Sequence, residues 1–212
     1  LSRTFINIDC ISYFLYVVQK GRNYMKPFNV VINFESGTLT PGKRIIRKVS
    51  DVKNMFYDTK AAEELIQNGD PLVYEVIYAD VPEDQGHLGH CTTIIYPGKI
   101  GNEYFLTKGH YHEKLSTAEI YFCLRGQGRL IMESTDGDCE ILEMFPGSAS
   151  YIPPYWSHRT MNVGNELLVF YCIFPADAGH DYATIEEQGY PKLVVEIDGK
   201  VSVIDNPKRK NK

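Results

Sequence analysis

From residue 71 onward, turn residues punctuate the chain roughly every 8–12 positions, and the runs between them are apolar, aromatic or β-branched. That is the spacing of short strands in an all-β protein. The runs predict strands over 72–79, 91–96, 103–112, 119–124, 129–133, 139–143, 148–152, 158–162 and 167–174. Turns fall at Tyr96-Pro97-Gly98, Arg125-Gly126-Gln127-Gly128, Thr135-Asp136-Gly137-Asp138 and Phe145-Pro146-Gly147. A last hairpin joins 193–197 to 200–204 through Asp198-Gly199, a type I′ signal. Only 51–68 reads as helical. Its second half, Lys60-Ala61-Ala62-Glu63-Glu64-Leu65-Ile66, is rich in helix formers, with Asp58 or Thr59 as a cap and Asn68-Gly69 as the stop. So many even-length strands predict an all-β chain with one or two short helices, closed into a barrel or double sheet because closure removes exposed edges.

Composition narrows this little. The 212 residues suit one large domain or two small ones, and 43% hydrophobic with 23% charged residues is ordinary for a globular protein. Fifteen Tyr and ten Phe lean towards strands. A net charge of −5 offers no nucleic-acid footprint, and Lys208-Arg209-Lys210 reads as a solvated tail. The five cysteines are odd in number and lack a CxxC pair, against both a disulfide framework and a zinc knuckle. Cys123, Cys139 and Cys172 read as small buried hydrophobes, and a reducing cytoplasm follows as the expectation. The apolar run 11–18 is too short to span a bilayer and no small-residue cleavage site follows it. Residues 1–24 therefore form an N-terminal extension with two readings: sequence upstream of an initiator at Met25, or a segment packing on the domain or a partner subunit. The barrel domain is expected over 25–207, with a basic tail at 208–212.

Candidate chemistry gathers around three of the six histidines. On a strand, residues i and i+2 share a face, so His110 and His112 would project side by side. A barrel interior is normally apolar, so polar residues that point inward call for a reason. Glu119 and His158, arriving from other strands, would complete a site of three imidazoles and one carboxylate. His87 and His90, by contrast, lie in a glycine-rich stretch and read as surface-loop residues. Trp156 reads as packing at the barrel mouth, Asn162 as a supporting or turn residue, and Glu75 as facing away from Tyr74 with no role.

The residues carry a resemblance. His110-x-His112, Glu119 and Gly126 are similar to the first motif of the cupin superfamily, and Gly147, Pro153, His158 and Asn162 match the spacing of the second. Two departures stand out. Six residues separate His112 from Glu119, where three or four are usual, and Tyr155 takes a glycine position. Longer strings are more specific: Tyr96-Pro97-Gly98-Lys99, Thr107-Lys108-Gly109-His110-Tyr111-His112, Tyr151 through Thr160, and Pro175 through Tyr182 closely resemble the archaeal cupin-type glucose-6-phosphate isomerases over about 27–207.

That resemblance implies a single cupin barrel, a double-stranded β-helix or jelly roll, catalysing aldose–ketose isomerisation of glucose 6-phosphate and fructose 6-phosphate in glycolysis or gluconeogenesis. It implies His110, His112, Glu119 and His158 as ligands of one divalent metal per subunit, Fe(II) with Mn, Ni or Zn able to substitute. Glu119 would be the base of a cis-enediol route, unless the hydrogen moves as a hydride. His180 would assist catalysis, and Tyr74, Thr93, Thr107, Gly109 and Tyr182 would hold the phosphosugar. Phe174 departs from a tyrosine common in relatives and removes a hydroxyl. A homodimer is expected, with 27–50 contributing, and neither nucleic acid nor membrane as partner. Two alternatives stand: a cupin dioxygenase with the same ligand set, and a non-catalytic sugar-binding cupin.

Overall fold

The computed structural model describes residues 16–19 and 22–209. Cys10, most of the N-terminal extension and the last three residues lie outside the described residues. In chain order, β1 (Tyr16–Gln19) pairs with β2 (Arg22–Met25), and β3 (Val31–Ile32) with β4 (Leu39–Thr40). Next come β5 (Lys43–Lys48), α1 (Val49–Val52), a 3-10 turn at Lys53–Met55 and α2 (Thr59–Gln67). The strands β6 (Leu72–Tyr78), β7 (Leu88–Ile95), β8 (Lys99–Ile100), β9 (Glu103–Tyr104), β10 (Glu119–Arg125), β11 (Gly128–Ser134), β12 (Cys139–Met144), β13 (Ala149–Ile152), β14 (Trp156–Asn162) and β15 (Leu168–Pro175) follow. The chain continues through α3 (Ala183–Gln188) to the hairpin β16 (Lys192–Ile197) and β17 (Lys200–Asp205).

A six-stranded antiparallel sheet runs β13-β10-β15-β7-β6-β5 and faces a second layer, β12-β11-β14. The segment after β9 adds itself to that layer through bridges Leu106↔Met161 and His110↔His158. The outcome is the all-β double sheet that the strand pattern predicts, in the jelly-roll form that the resemblance implies. Period-two alternation decides what faces the interior. Tyr74, Val76 and Tyr78, then Cys91 and Thr93, Glu119 and Tyr121, and Phe170, Cys172 and Phe174 all line one internal pocket. Their alternates Ile77, Ile94 and Val169 point outward and form a second core beneath Leu39. The 31–40 segment is strapped onto that outer face, where the Thr92 hydroxyl donates to the Gly37 carbonyl at 2.7 Å. Burying an apolar side chain such as Leu39 or Ile94 there contributes about 1.5–3 kcal/mol.

Several expectations shift. The single helical region divides in two because Asp58 begins a new helix, accepting from the Ala61 N–H at 2.9 Å. The predicted 103–112 strand is regular only over Glu103–Tyr104. Beyond it, the Thr107 side chain accepts the Thr160 N–H, and Gly109 adopts φ +75 where a Cβ would stand 3.1 Å from the His158 carbonyl oxygen. Side-chain and left-handed backbone geometry thus interrupt a ladder that otherwise persists through backbone bonds to β14. His90 lies on β7, not in a loop, with the Tyr171 hydroxyl 2.8 Å from its Nδ1. Glu75 is buried and has partners: the Tyr96 hydroxyl at 2.7 Å and Arg44 at 3.1 Å. The basic tail is docked rather than solvated at Arg209, which pairs with buried Glu133 and donates to the Gly189 carbonyl. Trp156 packs against the core, as expected, and buried Asn162 bonds the Ile95 and Glu166 carbonyls and the Gly164 N–H.

Candidate metal centre and pocket

His110, His112, Glu119 and His158 converge. Each offers one ligand atom, and all four atoms lie within 4.8 Å of one another. The spacing of His110 and His112 does what a shared strand face predicts, with ring centroids 5.6 Å apart. His158 comes from β14, directly paired with His110 and 4.4 Å from it between rings. Glu119 comes from β10 in the facing sheet, so the cluster joins the two layers. Tyr155, the residue at a glycine position in the motif, adopts φ +68 and turns the chain into β14.

The proton inventory of this cluster fits a cation. Thr117 donates its one hydroxyl proton to the Lys114 carbonyl at 2.7 Å, so it accepts from His112 Nδ1–H, also at 2.7 Å. His112 Nε2 is then a lone pair, and it faces Glu119 Oε2 at 3.2 Å, acceptor against acceptor. His158 Nε2 stands 3.0 Å from the same oxygen without hydrogen-bond alignment, and His110 Nε2 is buried with no partner. Burial, with crowding by His158, His180 and His112, pushes His110 well below the usual imidazole value and keeps its lone pair available. Three imidazole nitrogens and one carboxylate oxygen, buried together, are a donor set for a divalent transition metal. The long 113–118 spacer between ligands has a use: it supplies Thr117, the residue that fixes the His112 tautomer. Sequence spacing marked that insertion without indicating its purpose.

His180 stands beside the cluster, 4.5 Å from His110 between rings, stacked on Tyr182 at 5.7 Å and met edge-on by Phe174 at 6.0 Å. Burial lowers its pKa, so it is neutral near pH 7. Phe174 packs under this imidazole and closes against Gly89, where a Cβ would come within 2.4 Å of its ring.

Away from the metal cluster, the same pocket is lined by Tyr74, Thr93, Thr107, Gly109 and Tyr182, all five of the expected substrate residues. Burial pushes the Tyr74 phenol up to about 12, so it remains a donor. Two cations absent from the sequence-based set bear on this region. Arg47 on β5 is the ladder partner of Tyr74, and its charge offsets part of the upward shift of that phenol. Lys108 lines the pocket with its Nζ 6.0 Å from the Tyr182 ring and 3.2 Å from Glu186. Arg47 lies in an exposed run without motif, and nothing local marks it. Lys108 sits inside the Thr107-Lys108-Gly109 string and could have been nominated. Beneath the string, Arg159 donates twice to the Lys108 carbonyl, at 2.6 and 3.0 Å, and fixes its backbone.

Residues 46–210 match the family model for glucose-6-phosphate isomerase. The glucose-6-phosphate isomerase of Thermococcus litoralis is 48% identical over 185 residues, covering 87% of this chain and 97% of its own. That of Pyrococcus furiosus is 46% identical over 187 residues, 88% of this chain and 99% of its own. A relative of the same name from Sinorhizobium medicae is 36% identical over 154 residues, 72% of each chain. With the motif strings, the jelly roll and the buried ligand set in agreement with these matches, the chain belongs to the glucose-6-phosphate isomerase family.

Proposed function

We propose that the chain interconverts glucose 6-phosphate and fructose 6-phosphate as a metal-dependent aldose–ketose isomerase. The observation that carries this is the meeting, in one pocket, of a buried three-histidine, one-carboxylate cluster with the hydroxyls of Tyr74, Thr93, Thr107 and Tyr182 and the Lys108 cation. His110, His112, Glu119 and His158 would hold the ion, which we take to be Fe(II), with Mn, Ni or Zn able to substitute. When bound, it supplies Lewis-acid polarisation of two neighbouring sugar oxygens.

The remaining work falls to side chains. Both imidazole approaches to Glu119 use Oε2, which leaves Oε1 to take the proton from C2 and return it at C1. Neutral His180 is placed to move the hydroxyl proton during ring opening. Tyr74, Thr93, Thr107, Gly109 and Tyr182 bind the phosphosugar, and Arg47 and Lys108 supply charge for the dianion. Glu119→Gln should lower kcat by about 10²–10⁴ if Glu119 is the base. In deuterated water, label at C1 supports that proton transfer, and its absence points to a hydride shift.

The decisive assay is coupled isomerase turnover after chelation and re-addition of single metals. We expect activity to vanish with the chelator and return with one divalent ion, equally well without oxygen. No turnover with any ion overturns the reading in favour of a sugar-binding cupin, and oxygen consumption in favour of a dioxygenase.

We further take the enzyme to be a cytoplasmic homodimer serving glycolysis or gluconeogenesis. Free Cys91, Cys123, Cys139 and Cys172 support a reducing compartment, and among the described residues no helix is long and apolar enough to cross a membrane. The 27–50 segment suits a subunit contact, since β5 ends its sheet with Ile45 and Ile46 exposed and Val31 and Phe34 stand open nearby. Sedimentation as a monomer at micromolar concentration would refute the dimer.

A further inference from the structure

The pocket wall carries a feature that isomerisation does not use. Cys91 on β7 and Cys172 on β15 are direct partners in the antiparallel register. Both are free, both are buried and both face the pocket. The Thr93 hydroxyl lies 3.8 Å from Cys172 Sγ. Facing strand partners hold their Cβ atoms about 4.5–5.5 Å apart, whereas a disulfide prefers about 3.5–4.5 Å. A bridge of one large atom between the sulphurs therefore suits the frame better than a direct S–S bond. Bonds of about 2.3 Å from each sulphur to a shared centre, meeting at roughly a right angle as at a pyramidal trivalent atom, set the sulphurs about 3.3 Å apart, against about 2.05 Å in a disulfide.

We infer that Cys91 and Cys172 form a paired-thiol site on the pocket wall that chelates a trivalent arsenical, and that its occupancy blocks the sugar pocket. Arsenous acid has the required chemistry. Each thiol displaces one hydroxide: two As–O and two S–H bonds break, two As–S bonds form, and two waters leave carrying the thiol protons. No oxidation state changes. The second displacement is intramolecular, because the strands already hold the second sulphur beside the first. Soft sulphur ligands separate this site from the histidine–carboxylate cluster, whose nitrogen and oxygen donors favour harder ions. Glu119, Tyr121, Phe170 and Phe174 line the same pocket, so an adduct here occupies space that a phosphosugar needs.

The test uses the full chain and arsenite. After incubation and gel filtration, elemental analysis should find one arsenic per chain, released by 2,3-dimercaptopropanol. Cys91→Ala and Cys172→Ala should each retain less than a tenth of that, since a single As–S bond hydrolyses, while Cys123→Ala/Cys139→Ala should still retain one. Should an alanine variant fail to fold, Cys91→Ser and Cys172→Ser replace it. Absence of arsenic on the unaltered chain overturns the inference, as does retention by both single variants or loss in the Cys123→Ala/Cys139→Ala control. The inhibition arm rests on the isomerase reading: turnover should fall in proportion to arsenic bound, and arsenic bound without loss of turnover overturns the blocking claim. A chain that retains arsenic but never turns over fructose 6-phosphate sinks that reading and leaves the thiol site standing.

Discussion

At one end of the pocket, four side chains from three segments and two sheets bring their ligand atoms within 4.8 Å, with His112 locked through Thr117. Around the rest of the pocket, Tyr74, Thr107, Lys108 and Tyr182 line the wall from three segments, with Arg47 paired to Tyr74 from β5. The metal end gains its properties from burial and orphaned lone pairs, and a small displacement of any member undoes it. The substrate end gains its properties from donors and charge, several of which can act on one phosphate, so no single loss should be total. Tight convergence makes a residue indispensable; shared recognition makes it graded.

That contrast can be broken by experiment. The largest effect should come from His158→Gln, which removes a ligand: bound metal and turnover should fall by on the order of 100-fold or more, beyond what an outer partner costs. Metal content after gel filtration and isomerase rate measure it, and a variant that holds metal normally removes His158 from the centre. Arg47→Ala comes next. It should raise KM for the phosphosugar by about 10-fold, in line with one charged hydrogen bond, and weaken inhibition by inorganic phosphate while metal content stays unchanged. An unchanged KM would shift phosphate recognition to the hydroxyls and Lys108. Thr117→Val should lower metal affinity by about 10-fold with little change in fold, read by competition with a chelator. Full affinity in this variant would show that the His112 tautomer needs no lock.

The smallest effect serves as a control outside the pocket. Burial depresses His90 below its ordinary value of 6.5. Its contribution to stability is therefore complete above the unfolded value and is lost as pH falls through 6.5 towards the folded one. His90→Gln should flatten the fall in Tm between about pH 7 and pH 5, measured on metal-free protein. An identical slope would assign the acid loss to the pocket histidines.

The two ends also differed in how far the sequence disclosed them. The metal ligands were legible because period-two geometry ties His110 to His112, because Glu119 keeps its spacing to Gly126 despite the longer gap from His112, and because His158 stands at the spacing of the second motif. Strand alternation likewise placed Glu75 on the side of β6 opposite to Tyr74, and only Tyr74 lines the pocket. Arg47 was hidden because its place depends on β5 pairing with β6, a contact between elements separated by two helices and without local signature. Thr117 was hidden because its task is a hydrogen bond within a spacer that sequence registers only as extra length. The Arg209 tail looked solvated for the same reason: composition cannot report that Glu133 waits, buried, on β11.

The 113–118 spacer has a consequence for engineering. A chimera that swaps β10 or the histidine segment with a cupin of shorter spacing would keep every ligand yet discard the hydroxyl that sets the His112 proton. Lys114 and Leu115 also tether this spacer to 175–181 and to Tyr155 through backbone bonds. Histidine segment, spacer and both tether points thus behave as one transplantable cassette, and transfer of less than the whole should yield folded barrels with poor metal retention.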